Sequence, residues 1–518
     1  MFQKFIHKLK NTITGGAIVI ASFSVLSKFI GLLRDRLIAS NFGAGDITDI
    51  YFASFRLPDL IFNTLVLGAL SSAFIPIFIK CLQKDKEEAF RIANSILHCI
   101  VLALAILAGI FFIFAPRIVP LLVPGFDPEK QRAVAELTRI MLFSIIFFGA
   151  SNVFSGILNS FKRFVAYSLA PIFYNLGIIA GVLFLVPRFG IKGLAWGVVL
   201  GAFLHLLIQI PSVLKAGFRW QAVLAFKDRA VQRVGLLMLP RTFGLAVNQI
   251  NQLVINVIAS TLVVGSVAVF NFAFNLQSFP IGIFAISLAV ASFPYFSESA
   301  AKKDLKEFIA HFSVTLRRIL FLIIPASVFI LLLRAQVVRL VLGAGRFDWQ
   351  DTVMTLETLG FFSISLFAQA LIPLLARAFY AFQDTKTPVF VSIVSVLINI
   401  FGGLYLSRIL GVAGLALAFS IASIVNVILL FVLLRCKLGF LDEKKIIFSL
   451  LKVSMISVLA GVAVQISKMV VGSIFDLTTF GQVLLQFLVA AGVGGLVYLG
   501  LALVFKCEEI GVIKKLKV

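Results

Sequence analysis

Long apolar stretches separated by short polar breaks occupy almost the whole chain. A helix of about 20 apolar residues crosses the roughly 30 Å hydrocarbon core of a membrane. Fourteen stretches reach this length, so the pattern predicts fourteen transmembrane helices. The predicted spans are 12 to 38, 50 to 79, 92 to 121, 134 to 160, 166 to 187, 191 to 214, 234 to 262, 265 to 296, 312 to 342, 354 to 382, 387 to 408, 411 to 434, 446 to 471 and 480 to 506.

The second part of this pattern repeats the first at an offset of about 220 residues. Ile38-Ala39-Ser40 recurs as Ile258-Ala259-Ser260, and Gly190-x-x-Gly193-Leu194-Ala195 recurs as Gly411-x-x-Gly414-Leu415-Ala416. Because the repeat contains six spans, an even number, the second copy enters the membrane in the same direction as the first. We therefore predict an all-α polytopic membrane protein with two parallel six-helix lobes, 1–218 and 219–440, followed by two additional helices and a basic tail in 441–518.

The polar breaks differ in charge according to their order along the chain. Even-numbered breaks hold most of the lysines and arginines, whereas the first break, Asn41 to Asp49, and the seventh, near Thr261 to Gly265, are poorer in them. Cytoplasmic loops of membrane proteins are enriched in basic residues. The distribution therefore predicts that both termini are cytoplasmic.

Composition excludes several classes of protein. The 518 residues are 60% hydrophobic and 13% charged, whereas soluble domains carry about 25% charged residues. The formal charge of +23 does not indicate a nucleic-acid partner, because no basic stretch forms a module of its own; it fits loop topology and contact with anionic membrane lipids. Four scattered cysteines and four unclustered histidines indicate neither a disulfide framework nor a metal site, and no cofactor is expected.

Charged side chains in the first predicted span are the first candidates for a binding site. Polar groups inside a bilayer are costly and usually face a cavity. Lys28 lies deep in the span and Arg34 nearer its outer end, and Arg56 follows at the start of the second span. For Arg34 and its neighbours, an equally simple interpretation is that the side chains reach the interface and pair locally.

Spans seven and eight carry eight amide side chains within about thirty residues, which is too polar for a surface facing lipid. These amides either bind substrate or form hydrogen bonds between helices. Arg241, directly after Pro240, is placed to offer its guanidinium to a phosphate arriving from the cytoplasm. The third polar cluster, 376–388, favours a structural turn in which Asp384 caps a new helix.

Several local motifs resemble the MurJ/MviN family, over roughly residues 15 to 440. The most specific is Phe379-Tyr380-x-x-Gln383-Asp384-x-Lys386-Thr387-Pro388. The others are Ser27-x-x-x-Gly31-x-x-Arg34-Asp35, Phe42-Gly43-Ala44-Gly45, Leu57-Pro58, Ala73-Phe74-x-Pro76, Gly156-Ile157-Leu158-Asn159, Arg163-Phe164 and Pro171.

This resemblance implies the fold of the multidrug/oligosaccharidyl-lipid/polysaccharide exporter superfamily and an inner-membrane location. It also implies that the family's cavity cations correspond to Lys28, where an arginine is usual, and to Arg34. The family's arginine in span eight corresponds to Asn275, so we expect Arg56 and Arg241 to compensate. The sequence departs from the family in span two as well, with Phe62 and Asn63 near the usual arginine and Leu67 at the usual acid.

The function implied is the flipping of lipid II, a polyprenyl-diphosphate-linked saccharide, to the outer face of the membrane by alternating access. The alternatives are a related exporter of another lipid-linked oligosaccharide or of drugs, and an assembly scaffold without transport. A membrane enzyme would need clustered acids, or histidine with arginine, in a surface loop, and the longest loops hold no such set. Direct use of ATP is not expected either, because the chain has no Gly-x-x-x-x-Gly-Lys run.

Overall fold

The computed structural model describes residues 13–67 and 69–511, with every side chain in these ranges except those at 13–19, 21, 67, 69–72, 239–241, 243 and 244. Within these ranges the chain is helical, with no β-strand. The helices are α1 (Ile13–Phe42), α2 (46–67 and 69–82), α3 (Lys86–Leu122), α4 (Pro128–Ser160), α5 (Phe164–Phe189), α6 (Lys192–Leu214), α7 (Arg229–Ser260), α8 (Ser266–Ala301), α9 (Leu305–Val341), α10 (349–381), α11 (Lys386–Leu410), α12 (Val412–Leu438), α13 (Glu443–Ile474) and α14 (Phe480–Val504).

Each of the fourteen predicted spans overlaps one of these helices, and the all-α membrane fold is confirmed. Among the described residues, ten helices are long and apolar enough to cross a membrane, and the bent α10 makes eleven. The helices α1, α2 and α7 are outside this set. Of these, α2 is interrupted and α7 carries the amide side chains noted above.

Several helices begin earlier than the apolar pattern predicted. Six or seven helical residues precede the predicted apolar spans that start at residues 92, 134 and 312, since α3, α4 and α9 begin at Lys86, Pro128 and Leu305. In each case an aspartate accepts a hydrogen bond from a backbone N–H of the first turn. These N-caps are Asp85, Asp127 and Asp304. A capped polar turn therefore extends each helix beyond its apolar segment.

Four of the predicted spans, in α2, α5, α8 and α10, contain an irregularity. In α2, the helices Asp46–Ser54 and Arg56–Ile61 lead into a π-helical segment, Phe62–Leu67, before Ala69–Leu82 completes the span. Two further π segments are Gly181–Leu185 in α5 and Ile281–Ala285 in α8, the latter directly after Pro280. Such segments relieve a break in the hydrogen-bond ladder and are frequent at functional sites. The helix α10 bends by 48° between Trp349–Ile364 and Leu366–Ala381.

Contacts divide the chain into a first unit that ends at Ala268 and a second that begins at Val269. In the first, Phe74, Phe78 and Phe90 belong to a core to which α2, α3, α4 and α7 contribute. In the second, Phe296, Phe308 and Phe379 belong to a core of α8 to α13. The predicted lobe boundary at residues 218 and 219 follows the sequence repeat instead, and it assigns α7 to the second lobe; that division stays a prediction.

The two copies of the Gly-x-x-Gly motif have the same local geometry. Gly190 joins α5 to α6 with φ +57° and ψ −143°, and Gly411 joins α11 to α12 with φ +57° and ψ −139°. Only glycine adopts this conformation readily. A Cβ at Gly193 or Gly414 would collide with the backbone of the preceding helix, at Leu185 and Leu406 respectively. The repeat in sequence thus has a counterpart in two tightly packed hairpins, one in each unit.

Candidate functional site

Arg34 occupies a defined position between α1 and α5. Its Nε and Nη2 donate to Oδ1 of Asp35 at 2.9 and 2.7 Å, and its Nη1 donates to Oδ1 of Asn175 at 3.1 Å. Asp35 is buried, and about a fifth of the Arg34 side chain is exposed, at 19%. The local pairing of Arg34 with Asp35 that the sequence allowed is therefore present, and Asn175 is an additional partner.

Asn175 connects the two helices. Its Nδ2 donates to the Pro171 carbonyl at 3.0 Å and to Oγ of Ser27 at 3.4 Å. These bonds fix the amide so that its oxygen faces Arg34. Because one N–H from each of the three guanidinium nitrogens is used, two of the five guanidinium N–H groups remain.

Arg56 belongs to the same electrostatic neighbourhood. Tyr51 and Tyr174 lie near the Arg34 guanidinium, and Asp59 interacts with both tyrosines and with Arg56. The Nε of Arg56 donates to Oδ1 of Asn256 at 3.2 Å. Arg34 and Arg56 are therefore linked electrostatically through shared charged and phenolic neighbours. We call Arg34, Asp35, Tyr51, Arg56, Asp59 and Tyr174 the arginine cluster.

The other three predicted site residues have different positions. Lys28 is half-buried on α1, six residues before Arg34, or about 9 Å along the helix axis. Asn275 is half-buried on α8 in the second unit. The side chain of Arg241 lies outside the described residues, so its proposed contact with substrate stays a prediction.

Two amides of α7 and α8 serve packing between helices. Asn256 accepts from Arg56 and donates to the Leu122 carbonyl at 3.0 Å. Gln277 is fully buried and accepts from Nε2 of Gln369 at 2.8 Å. Of the two interpretations that the sequence allowed, substrate binding or hydrogen bonding between helices, the second therefore describes these two side chains.

Asp384 has the capping role expected from the sequence. It accepts from the Thr387 N–H at 3.1 Å, the Thr387 hydroxyl at 2.9 Å and Nζ of Lys437 at 2.8 Å. Burial acts to raise the pKa of the Asp384 carboxyl, but the hydrogen bonds from Lys437 and Thr387 outweigh it and hold the pKa below its usual value. The most specific family motif thus contains a charged cap at the start of α11.

Sequence reasoning missed the buried carboxylate of Asp49. Its oxygens accept from the backbone N–H groups of Gly265 and Ala268, both at 2.8 Å, and from Nζ of Lys130 at 3.3 Å. The carboxylate therefore caps the N-terminus of α8 from another helix. Gly265 has φ +88°, and a Cβ there would collide with the Ala44 carbonyl. An aspartate directly before an apolar span was the available signal.

Comparison with known proteins agrees with this architecture. The sequence profile of the family described as Lipid II flippase MurJ matches residues 38–481. A Burkholderia cenocepacia protein described as Lipid II flippase MurJ is 30% identical over 427 residues, which cover 81% of this chain and 83% of that protein. A Buchnera aphidicola (subsp. Baizongia pistaciae) protein described as "Probable lipid II flippase MurJ" is 28% identical over 488 residues, covering 92% and 94%.

Solved structures share the fold. Lipid II flippase MurJ in an inward closed conformation has a TM-score of 0.79 at 26% identity and covers 95% of this chain and 100% of its own. A multidrug resistance MATE family transporter in an inward-facing conformation has a TM-score of 0.68 at 16% identity, covering 82% and 99%. An outward-facing one has a TM-score of 0.60 at 18% identity, covering 84% and 98%. At these lower identities the likeness shows the fold alone. Because the family profile spans most of the sequence and a relative of 30% identity matches 81% of it, this chain belongs to the Lipid II flippase MurJ family.

Proposed function

We propose that this chain flips lipid II from the cytoplasmic to the outer face of the bacterial inner membrane and thereby serves cell-wall synthesis. The match of residues 38–481 to the lipid II flippase family carries this proposal. The relatives described by that name match the chain along most of its length, so the likeness is not confined to one motif.

The arginine cluster supplies the chemistry that a diphosphate needs. A guanidinium binds phosphate oxygens through two parallel N–H groups, and Arg34 keeps two N–H groups beyond those held by Asp35 and Asn175. Asp35 and Asn175 orient the guanidinium, and Arg56 adds a second positive charge nearby. We assign diphosphate binding to Arg34 and Arg56, with Lys28, Arg241 and Asn275 as further substrate contacts.

Alternating access is the transport mechanism that we assign to the two lobes. The fold is shared with a transporter family that has been solved in inward-facing and outward-facing conformations, and lobes of this kind rock around a central site. The distribution of basic residues supports cytoplasmic termini.

Export of another lipid-linked saccharide or of drugs is the second candidate function. The multidrug transporters share the fold at 16% and 18% identity. A site for cationic drugs needs acids that stay unpaired, whereas Asp35 accepts two hydrogen bonds from Arg34 and Asp49 caps α8. These two acids are paired, and Arg56 acts electrostatically on Asp59, so the site favours an anionic substrate.

Depletion of the protein from growing cells tests the proposal. We expect lipid II on the outer face to fall while its synthesis continues on the inner face, measured by a lipid II label that cannot cross the membrane. Unchanged surface lipid II after depletion, with no second flippase expressed, would refute the assignment.

A further inference from the structure

A cleft in the second unit has no role in the function described above. It lies where α9 ends, α10 begins and α11 turns into α12, with a volume of about 550 Å³. Cavities of this size accommodate small ligands. Its lining combines the charged residues Arg334 and Glu357 with apolar side chains that include Leu331, Ile364 and Ile409.

The apolar walls of the cleft face outward. Leu331, Ile364 and Ile409 are 38%, 47% and 63% exposed, although they belong to membrane helices. Residues of this type in a membrane protein contact lipid chains. Walls of this kind suit a molecule with acyl chains.

The two charged side chains lie close to the end of the helices. Arg334 is seven residues before the end of α9 and Glu357 is eight residues after the start of α10, which places them about 10 and 12 Å from those ends. The hairpin turn at Gly411 adjoins the same cleft, because Ile409, Leu410 and Ala413 line it. A lipid whose chains contact the walls would hold its headgroup at this depth.

Arg334 forms no ion pair with a carboxylate of the described residues, although Glu357 lines the same cleft. Among the described residues, its side chain forms no hydrogen bond or ion pair, and neither does that of Glu357. The guanidinium lies against Gly360, where a Cβ would collide with it. Lys468, whose Nζ donates to the Leu332 carbonyl at 3.1 Å, is a second positive charge that repels Arg334. An unpaired arginine at membrane depth needs an anionic partner.

We propose that this cleft binds a zwitterionic aminophospholipid, with the phosphate on Arg334, the ammonium group on Glu357 and an acyl chain along Leu331, Ile364 and Ile409. The separate positive and negative groups match the two charges of a phosphoethanolamine headgroup. An anionic lipid such as phosphatidylglycerol has the same phosphate but no cation for Glu357. Glu357 therefore gives the site a preference for the aminophospholipid.

Binding of defined lipids to the purified full-length protein tests the proposal. After delipidation, the protein is titrated with phosphatidylethanolamine or phosphatidylglycerol, and native mass spectrometry measures the bound fraction. We expect the wild type to prefer phosphatidylethanolamine, and Arg334→Gln to lose at least fivefold affinity for both lipids. Glu357→Gln should retain phosphate binding and lose the preference.

Two further variants separate the site from general effects. Arg346→Gln removes an exposed positive charge just after α9, outside the cleft, and should bind both lipids as the wild type does. Gly360→Ala keeps every charge and displaces the Arg334 guanidinium, so it should weaken binding of both lipids. Equal lipid binding by Arg334→Gln and Arg346→Gln would overturn the proposal. An unchanged preference for phosphatidylethanolamine in Glu357→Gln would show that Glu357 does not bind the ammonium group. The measurement requires no transport, so its outcome is independent of lipid II flipping.

Discussion

At the scale of single residues, the structure explains how a charged side chain can be kept in a membrane helix and still be available to a ligand. Arg34 forms an ion pair with the buried Asp35 and is oriented by Asn175, yet part of its side chain is exposed. Burying an arginine without such partners costs about 2.5–3.5 kcal/mol even on lenient scales. The arrangement lowers that cost without using every donor.

Replacement of Arg34 should impair transport more than folding. Hydrogen bonds to charged groups contribute about 1.5–3 kcal/mol, so Arg34→Gln should reduce lipid II flipping roughly 10- to 100-fold at normal membrane levels. Arg34→Lys should be intermediate, because lysine keeps the charge but not the two parallel donors. The same assay on Lys28→Ala should also show a loss.

The control for Arg34 is Arg132→Gln, which removes an exposed charge of α4 in the same unit. It should flip lipid II as the wild type does. If Arg34→Gln matched this control in both protein level and flipping, the diphosphate role of Arg34 would be wrong.

Asp49 should matter chiefly for stability. Asp49→Asn keeps the size of the side chain but weakens the cap on α8 and removes the ion pair with Lys130. Loss of such buried bonds costs about 1–3 kcal/mol, so the thermal unfolding midpoint of the purified protein should fall.

Asp46 provides the comparison for Asp49. Its carboxylate also binds Lys130, at 2.6 Å, but its side chain is 62% exposed, and exposed ion pairs contribute little. Asp46→Asn should therefore lower the midpoint less. The opposite order would contradict the buried-cap interpretation.

At the scale of elements, the apolar pattern predicted which segments are helical but not their irregularities. The interruption of α2 and the bend of α10 depend on backbone hydrogen bonds, to which the apolar pattern is insensitive.

The sequence likewise identified Arg34 as a candidate site residue from its place in the first span, but not its partner. Its partner Asn175 is 141 residues away, and the N–H groups bound by Asp49 are 216 and 219 residues away. Such pairings require the packed structure.

The glycine hairpins give a prediction for elements. Gly193→Ala and Gly414→Ala should each lower the thermal unfolding midpoint, because the new Cβ meets backbone atoms of the preceding helix that cannot move aside. Gly500→Ala in α14 is a suitable control, since nothing lies within 4 Å of its added Cβ. Alanine there should be neutral or slightly stabilising. A uniform effect at all three positions would show that helix propensity, and not close packing, governs them.

At the scale of the whole molecule, the basic residues in the even-numbered breaks predict orientation. Cysteines introduced at Asn41 or Asp46 in a cysteine-free background should react with an impermeant maleimide added outside, and one at Lys303 should react only after the membrane is opened. Labelling of Lys303 from outside, with Asn41 protected, would reverse the topology and the direction of transport inferred from it.

Transport of lipid II by the purified protein tests the central claim most directly. Proteoliposomes with lipid II in both leaflets are treated with an impermeant enzyme that cleaves only outward-facing lipid II. Vesicles without protein should stop near half cleavage, whereas vesicles with the wild type should approach complete cleavage, and those with Arg34→Gln should do so at least tenfold more slowly. If the wild type also stopped near half cleavage in sealed vesicles, with and without an imposed membrane potential, the assignment as a lipid II flippase would be contradicted.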